Sequence, residues 1–243
     1  MSIIYQPSGR AREYCKLAAN LYRGCGHGCK YCYAPAVLRM DKESFHNEAA
    51  PRENVISQLT KDAKSGKYKG PVLLCFTTDV YQPINDLYNL ARKAIYQLKG
   101  NNIPVEILTK GGLRATRDFD LLTGEDKVGA TLTFIENDDS LYWEPGAAMP
   151  YERFEMLKIA HNKGIQTWAS LEPVIDTGQS LSIIEETAEY VDLFKVGKLN
   201  YHPIAKTINW YKFANDVVML FNKLNKKYYI KEDLRRYLAE AAC

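Results

Sequence analysis

Three of the six cysteines in this chain stand within eight residues of one another, in the stretch Asn20-Leu21-Tyr22-Arg23-Gly24-Cys25-Gly26-His27-Gly28-Cys29-Lys30-Tyr31-Cys32-Tyr33-Ala34. Their spacing is Cys-x3-Cys-x2-Cys, with glycines at 24, 26 and 28. Glycine accepts backbone angles closed to other residues, so a loop written this way can curl until its thiols face a common point. Converging thiolates hold metal. A cubane [4Fe-4S] cluster takes one outside ligand per iron, and this loop supplies three, Cys25, Cys29 and Cys32, leaving one iron open to a small molecule. The alternative is a structural zinc site, either Cys3His with His27 as the fourth ligand or three cysteines with a distant partner. Zinc ligands generally come as two separated pairs, and no second pair follows here. A disulfide framework suits neither three crowded cysteines nor an amino end that carries no secretory signal.

The length of 243 residues suits one sizeable domain and is short for two. Residues 1–243 are therefore expected to form a single unit, with a core over about 14–200 and a helical extension over about 205–243. No apolar run approaches the ~20 residues of a membrane helix, so no membrane partner is expected. A reducing, cytoplasmic setting follows, which also suits an oxygen-sensitive cluster. A net charge of +3 is too small to announce a nucleic-acid binder. The basic residues Lys223, Lys226, Lys227, Lys231, Arg235 and Arg236 read as the solvated face of a terminal helix rather than as phosphate contacts.

Along the chain, the first dozen residues read as an arm, 14–21 as a first strand and 41–50 as a loop. Pro51 fits the first turn of a helix marked by Val55, Ile56, Leu59 and Ala63 and closed by Gly66. Strands are expected at 72–76, 105–108, 127–135, 165–175 and 192–197. Helices are expected between them: one through Ile84, Leu87, Ala91, Ala94, Ile95 and Leu98, then 113–122, then 150–161. The last opens on a Ser182/Glu185 capping box and runs to about Tyr190. Strands alternating with amphipathic helices imply parallel pairing with right-handed crossovers, so the fold class is α/β, an open (β/α)6 partial barrel. The remaining chain, with Trp210, Phe213, Val217, Leu220 and Leu224 on one stripe, is expected to add carboxyl-terminal helices.

Parallel folds of this kind bind ligands at the carboxyl ends of their strands. The cysteine loop follows the first strand and lies on that face. Thr77, Thr78 and Asp79 follow the second, Lys110 the third, Thr131 and Thr133 the fourth, and Ser170 and Glu172 the fifth. Threonine and aspartate also serve as turn and cap residues, and a lone lysine at a strand end commonly faces solvent. A carboxylate such as Glu172 is expensive to bury alone, which points to ribose or an amine as ligand, or to pairing with Lys195 or Lys198.

The string Cys-x3-Cys-x-Tyr-Cys resembles the signature of the radical S-adenosylmethionine (SAM) superfamily, and NLYRGCGHGCKYCYA is similar to its spore photoproduct lyase-like branch. The resemblance implies that Cys25, Cys29 and Cys32 hold a [4Fe-4S] cluster whose open iron is chelated by SAM. An electron donor such as flavodoxin or ferredoxin would drive cleavage to methionine and a 5'-deoxyadenosyl radical, which abstracts hydrogen. It further implies that Tyr31 lies against the SAM adenine and that Thr77, Thr78 and Asp79, in a string resembling TDPYQP with Val80 in place of proline, meet its amino group. Lys110 in Thr109-Lys110-Gly111 resembles the branch's T-K-S string and would meet the carboxylate; Thr131, Thr133, Ser170 and Glu172 are further cofactor-binding candidates. In the branch, two tyrosines matching Tyr31 and Tyr33 are implicated in radical relay, and a cysteine on the second strand returns hydrogen. Here Phe76 stands at that place. Cys75 is its neighbour, expected on the opposite face of a strand as a core thiol, and is the remaining candidate for the catalytic set. Nucleic acid is the substrate the branch implies; a protein or small molecule is the alternative.

Overall fold

Short apolar runs separated by amphipathic segments give this chain a sheet covered by helices. The computed structural model describes residues 2–238. Its strands are β1 (Ile4–Tyr5), β2 (Leu17–Ala19), β3 (Tyr22–Arg23), β4 (Ala50–Pro51), β5 (Val72–Leu74), β6 (Val105–Thr109), β7 (Lys127–Thr131), β8 (Gln166–Leu171), β9 (Leu193–Val196) and β10 (Lys227–Ile230). The main sheet runs β1-β2-β5-β6-β7-β8-β9-β10, parallel throughout except for β1, which pairs antiparallel with β2; β3 and β4 form a separate two-stranded ribbon. β1 and β10 lie at opposite ends of this order, so the sheet is open.

The run at β5 is apolar at every position because both faces are covered. Val72 and Leu74 join the large core with Leu59 and Leu98, while Leu73 turns inward beside Ala18 and Trp168. The helix Val55–Lys64 meets that core through Val55, Leu59 and Ala63, and Leu90–Lys99 through Leu90, Ala91, Ala94, Ile95 and Leu98. Both sets recur at the three-to-four spacing of one helical face.

The six expected strands correspond to β2, β5, β6, β7, β8 and β9. The arm is not free of structure, since β1 and a 3-10 turn at Gly9–Glu13 lie within it. Residues 41–50 are not a plain loop: Asp41 caps a short helix, Lys42–Asn47, by accepting from Ser44 N at 2.8 Å. Pro51 sits in β4 and the next helix begins at Val55. The segment 113–122 forms a 3-10 helix, Gly112–Leu121. Leu87 is exposed, because the expected single helix breaks at Asn89 into Asn85–Tyr88 and Leu90–Lys99. The strands at 127–135 and 165–175 end early, at Thr131 and Leu171, where the chain turns towards the helices Asn137–Trp143 and Thr177–Thr187. Asp176 caps the latter helix through Gln179 N, so Ser182 is not its cap. The carboxyl-terminal stretch is not purely helical. After the helix Trp210–Lys223 it adds β10, a seventh parallel strand. That strand makes the basic cluster something other than a solvated helix face, and Lys231 is buried. Cys243 lies outside the described residues. No helix is long and apolar enough to cross a membrane among the described residues.

Candidate active site

The carboxyl ends of the parallel strands open on one cavity of about 410 Å³, a size typical of small-ligand sites. At one end stand Cys25, Cys29 and Cys32, and at the other the arm residues Arg10 and Tyr14 with Lys198 and Lys231.

The cysteine loop is shaped by its neighbours. Gly24 has φ +79°, and a side chain there would meet the Phe45 carbonyl oxygen at 2.7 Å; Cys25 N donates to that same oxygen at 2.9 Å. Gln82 clamps the loop by accepting from Gly26 N at 2.8 Å and donating to Gly24 O at 3.2 Å. The loop after Asn137–Trp143 straps it from outside: Lys30 N donates to Trp143 O and Gly146 N to His27 O, each at 2.9 Å. His46 Nδ1 lies 2.9 Å from Cys25 O.

All three cysteines are free thiols. Burial raises each of them, Cys29 to about 12 and Cys25 further, and outweighs the pull of Lys110 on Cys29 and Cys32 and of backbone donors on Cys25. A polycationic metal centre would reverse this. Among the described residues no three His, Cys, Asp or Glu side chains converge as a single metal ion requires. His27 is occupied elsewhere, its ring nitrogens 3.5 Å from Asp79 Oδ2 and 3.4 Å from Arg114 Nη2. Burial lowers it to about 4, against the pull of Asp79. The zinc arrangement with His27 therefore lacks its ligand set, whereas three thiols on one cavity suit a cluster that takes one ligand per iron.

Tyr31 reaches into the same cavity and is held by a buried charge pair. Its hydroxyl donates to Glu144, which also accepts from Thr133 Oγ1 at 3.1 Å, and Arg153 Nη2 meets the second Glu144 oxygen at 2.6 Å. Burial alone would raise Glu144; the Arg153 guanidinium, with Lys110 and the Tyr31 hydroxyl, more than offsets it and holds the carboxyl below the usual range. Burial and that carboxylate keep the Tyr31 phenol protonated, well above its ordinary value. Lys110 Nζ lies 5.6 Å from the Tyr31 ring centroid and makes no ion pair among the described residues. Thr77 Oγ1 and Thr78 Oγ1 are buried without hydrogen-bond partners, Thr78 beside the Cys75 thiol. Unmet hydroxyls and an ammonium without an ion pair on the same cavity are what a polar, zwitterionic ligand would satisfy.

Of the residues expected from the sequence, the cavity brings together Cys25, Cys29, Cys32, Tyr31, Tyr33, Cys75, Thr77, Thr78, Asp79, Lys110, Thr131 and Glu172. Thr133 and Ser170 stand behind its wall, bracing Tyr31 and Tyr14. Asp79 is used by the frame: Oδ1 accepts from Tyr81 N and Thr109 Oγ1, and Oδ2 from Lys110 N at 2.7 Å. Glu172 pairs with neither Lys195 nor Lys198. Lys231 and the Tyr14 hydroxyl both bind it, because β10 brings Lys231 beside β9, where Gly197 leaves room for the pair. Lys195 instead donates to the Glu13 and Tyr14 carbonyls. Cys75 is not on a strand. It follows β5 with φ +62°, and its sulfur accepts from Leu21 N at 3.3 Å, while Phe76 packs edge-on against Tyr14 at 5.5 Å.

Sequence reasoning missed Tyr14, His46, Trp143, Glu144, Arg153 and Lys231. Tyr14, His46 and Lys231 line the cavity and the others support it. The one available signal was a run of charge and aromatics, Asn137 to Glu144, between two expected elements.

The radical SAM superfamily model matches residues 19–191. An uncharacterized protein of Methanocaldococcus jannaschii is 26% identical over 223 residues, covering 89% of this chain and 84% of its own length. An uncharacterized protein of Mycobacterium tuberculosis is 27% identical over 180 residues, 68% of this chain and 53% of its own, so the match spans about half that relative. Among solved structures, spore photoproduct lyase complexed with a dinucleoside spore photoproduct superposes with a TM-score of 0.66 at 15% identity, over 92% of this chain and 77% of that one. Streptococcus suis SuiB bound to S-adenosylmethionine gives 0.64 at 12% identity, over 88% and 49%. At these identities the likeness to both is one of fold.

Proposed function

This chain belongs to the radical SAM superfamily, whose members use a [4Fe-4S] cluster and SAM, and from that premise we propose that Cys25, Cys29 and Cys32 hold the cluster of an enzyme that cleaves SAM reductively. The observation that carries this is the meeting of three free thiols, Cys25 and Cys29 buried and Cys32 partly so, with Tyr31 and Lys110 on one cavity. When bound, cluster and SAM supply a 5'-deoxyadenosyl radical that abstracts hydrogen from a substrate, the electron coming from a carrier such as flavodoxin or ferredoxin.

The chain's own residues bind and orient. Lys110 offers a point charge to the SAM carboxylate, and the Thr77 and Thr78 hydroxyls accept from its amino group. Tyr31, locked by Glu144 and Thr133, presents a fixed ring to the adenine, and Thr131 stands where a hydroxyl can meet the ribose. Asp79 braces the β5 and β6 ends rather than binding directly. Glu172 is neutralised by Lys231 and shapes the wall. Tyr33, half exposed at the mouth, is available to the substrate. A nucleic-acid substrate is supported by the likeness to spore photoproduct lyase. Phe76 and the engaged Cys75 thiol count against hydrogen return from a strand-two cysteine, and the comparable likeness to SuiB keeps a protein or small molecule as the second reading.

Dithionite-reduced protein given SAM should release 5'-deoxyadenosine, and Cys29→Ala should abolish it. Unchanged release in that variant would overturn the ligand assignment.

A further inference from the structure

We propose that the arm end of the cavity is a subsite for an anionic group of the substrate, a phosphate or a carboxylate, held chiefly by Lys198 with Arg10 beside it. The inference rests on the catalytic reading above, because it takes that end of the cavity as the substrate's.

Four cations line the cavity, Arg10, Lys110, Lys198 and Lys231, against two carboxylates, Asp79 and Glu172. Asp79 spends its oxygens on neighbouring donors, and Glu172 is committed to Lys231 and Tyr14. Two lysines are left without a carboxylate among the described residues, and they face different tasks. Lys110 stands at the cysteine end, where SAM brings its own carboxylate. Lys198 stands on the Asn200 and Asp233 side with Arg10, and needs an anion from elsewhere.

Lys198 is held ready. Its ammonium donates to the Tyr237 hydroxyl at 3.2 Å and lies 5.3 Å and 5.0 Å from the ring centroids of Trp210 and Tyr237. Two aromatic rings and a hydroxyl restrict the stem, so little further freedom is lost on binding. Arg10 reaches Asp233 through Nη1 alone, at 3.2 Å, and its side chain is 52% exposed, which leaves guanidinium N–H groups to spare. Asn200 ties the two together: its amide donates to Lys198 O at 3.0 Å and to Asp233 Oδ2 at 2.7 Å. An ammonium is a compact charge that serves phosphate and carboxylate alike, so the structure assigns the anion and leaves its source to experiment.

The test is isothermal titration of the reconstituted, SAM-loaded protein with paired probes. One pair is thymidylyl-(3'→5')-thymidine and its neutral methylphosphonate analogue; the other is a tetrapeptide, acetylated and amidated at its ends, containing one aspartate and its asparagine counterpart. The charged member of one pair should bind about tenfold tighter than its neutral twin, the worth of one charge-assisted contact. Lys198→Gln should erase that difference, Lys198→Arg should retain most of it and Arg10→Gln should reduce it. Lys212→Gln, on a solvent-side lysine paired with Asp216, should leave it unchanged. Preference for the dinucleotide identifies a nucleotide source, and preference for the aspartate a peptide. Equal binding of both members in each pair, no binding of any probe, or a charge preference that survives Lys198→Gln would overturn the proposal. Absence of 5'-deoxyadenosine would instead refute the catalytic reading, whatever the probes do.

Discussion

At its cysteine end the cavity is walled by one contiguous loop, clamped through backbone hydrogen bonds and a carboxamide, whereas at its arm end the wall is assembled from the first and last segments of the chain, joined by side chains. Arg10 meets Asp233 across 223 positions, Tyr229 meets Glu13 across 216, and Lys231 meets Glu172 and lies 3.4 Å over the Tyr14 ring. A site whose geometry rests on backbone resists small changes until they collide with it. A site whose geometry rests on flexible ions yields to them. The contrast suits a fixed cofactor at one end and a substrate that enters and leaves at the other.

The largest effect should come from the buried Arg153–Glu144 ion pair that supports the cysteine end. Arg153→Ala strands Glu144 without its partner, and chemical denaturation should register a loss of about 3–5 kcal/mol. A wild-type value retained in this variant would mean that the pair does not hold the wall.

Paired alanine scanning of two glycines sharpens the contrast. A methyl group at Gly146 would collide with Gly26 O and lie 3.0 Å from His27 Cα, both backbone, so Gly146→Ala should displace the cysteine loop, costing about 1–3 kcal/mol and reducing iron uptake. At Gly197 the same methyl meets Glu172 Cδ and Lys231 Cδ, each at 2.8 Å, and these side chains can swing aside. Gly197→Ala should therefore cost less and leave iron uptake intact; equal losses would erase the proposed difference between the ends.

A smaller effect should appear in the pH dependence of stability. Glu144 is held below its unfolded value, so the stability it contributes is present above the unfolded value and is lost as pH falls through the depressed folded one. The stability gap between wild type and Glu144→Gln should thus be full at neutral pH and shrink below the ordinary glutamate range. A gap that grows on acidification would contradict the sign.

The same contrast explains what could be read from the sequence. The cysteine end is local: the glycine and cysteine spacing, the strand order around it and the Thr77 to Asp79 turn lie in unbroken strings. The arm end is not, since nothing beside Lys231 in the sequence tells it to pass Gly197 and reach Glu172, and a four-residue strand after a helix reads as more helix. Glu144 and Arg153 were invisible for a related reason. They stand nine positions apart with a turn between them and act through Tyr31, so no periodicity links them. Cys75 was misplaced because β5 stops two residues early, where the chain adopts a left-handed angle that no apolar run announces.

The most direct measurement is the iron and sulfide content of the chain after anaerobic reconstitution, for wild type and Cys29→Ala side by side. About four irons and matching sulfide per wild-type chain, with the variant markedly depleted, is the expected result. A wild-type chain that takes up no iron, or a single zinc in its place, would contradict the proposed centre.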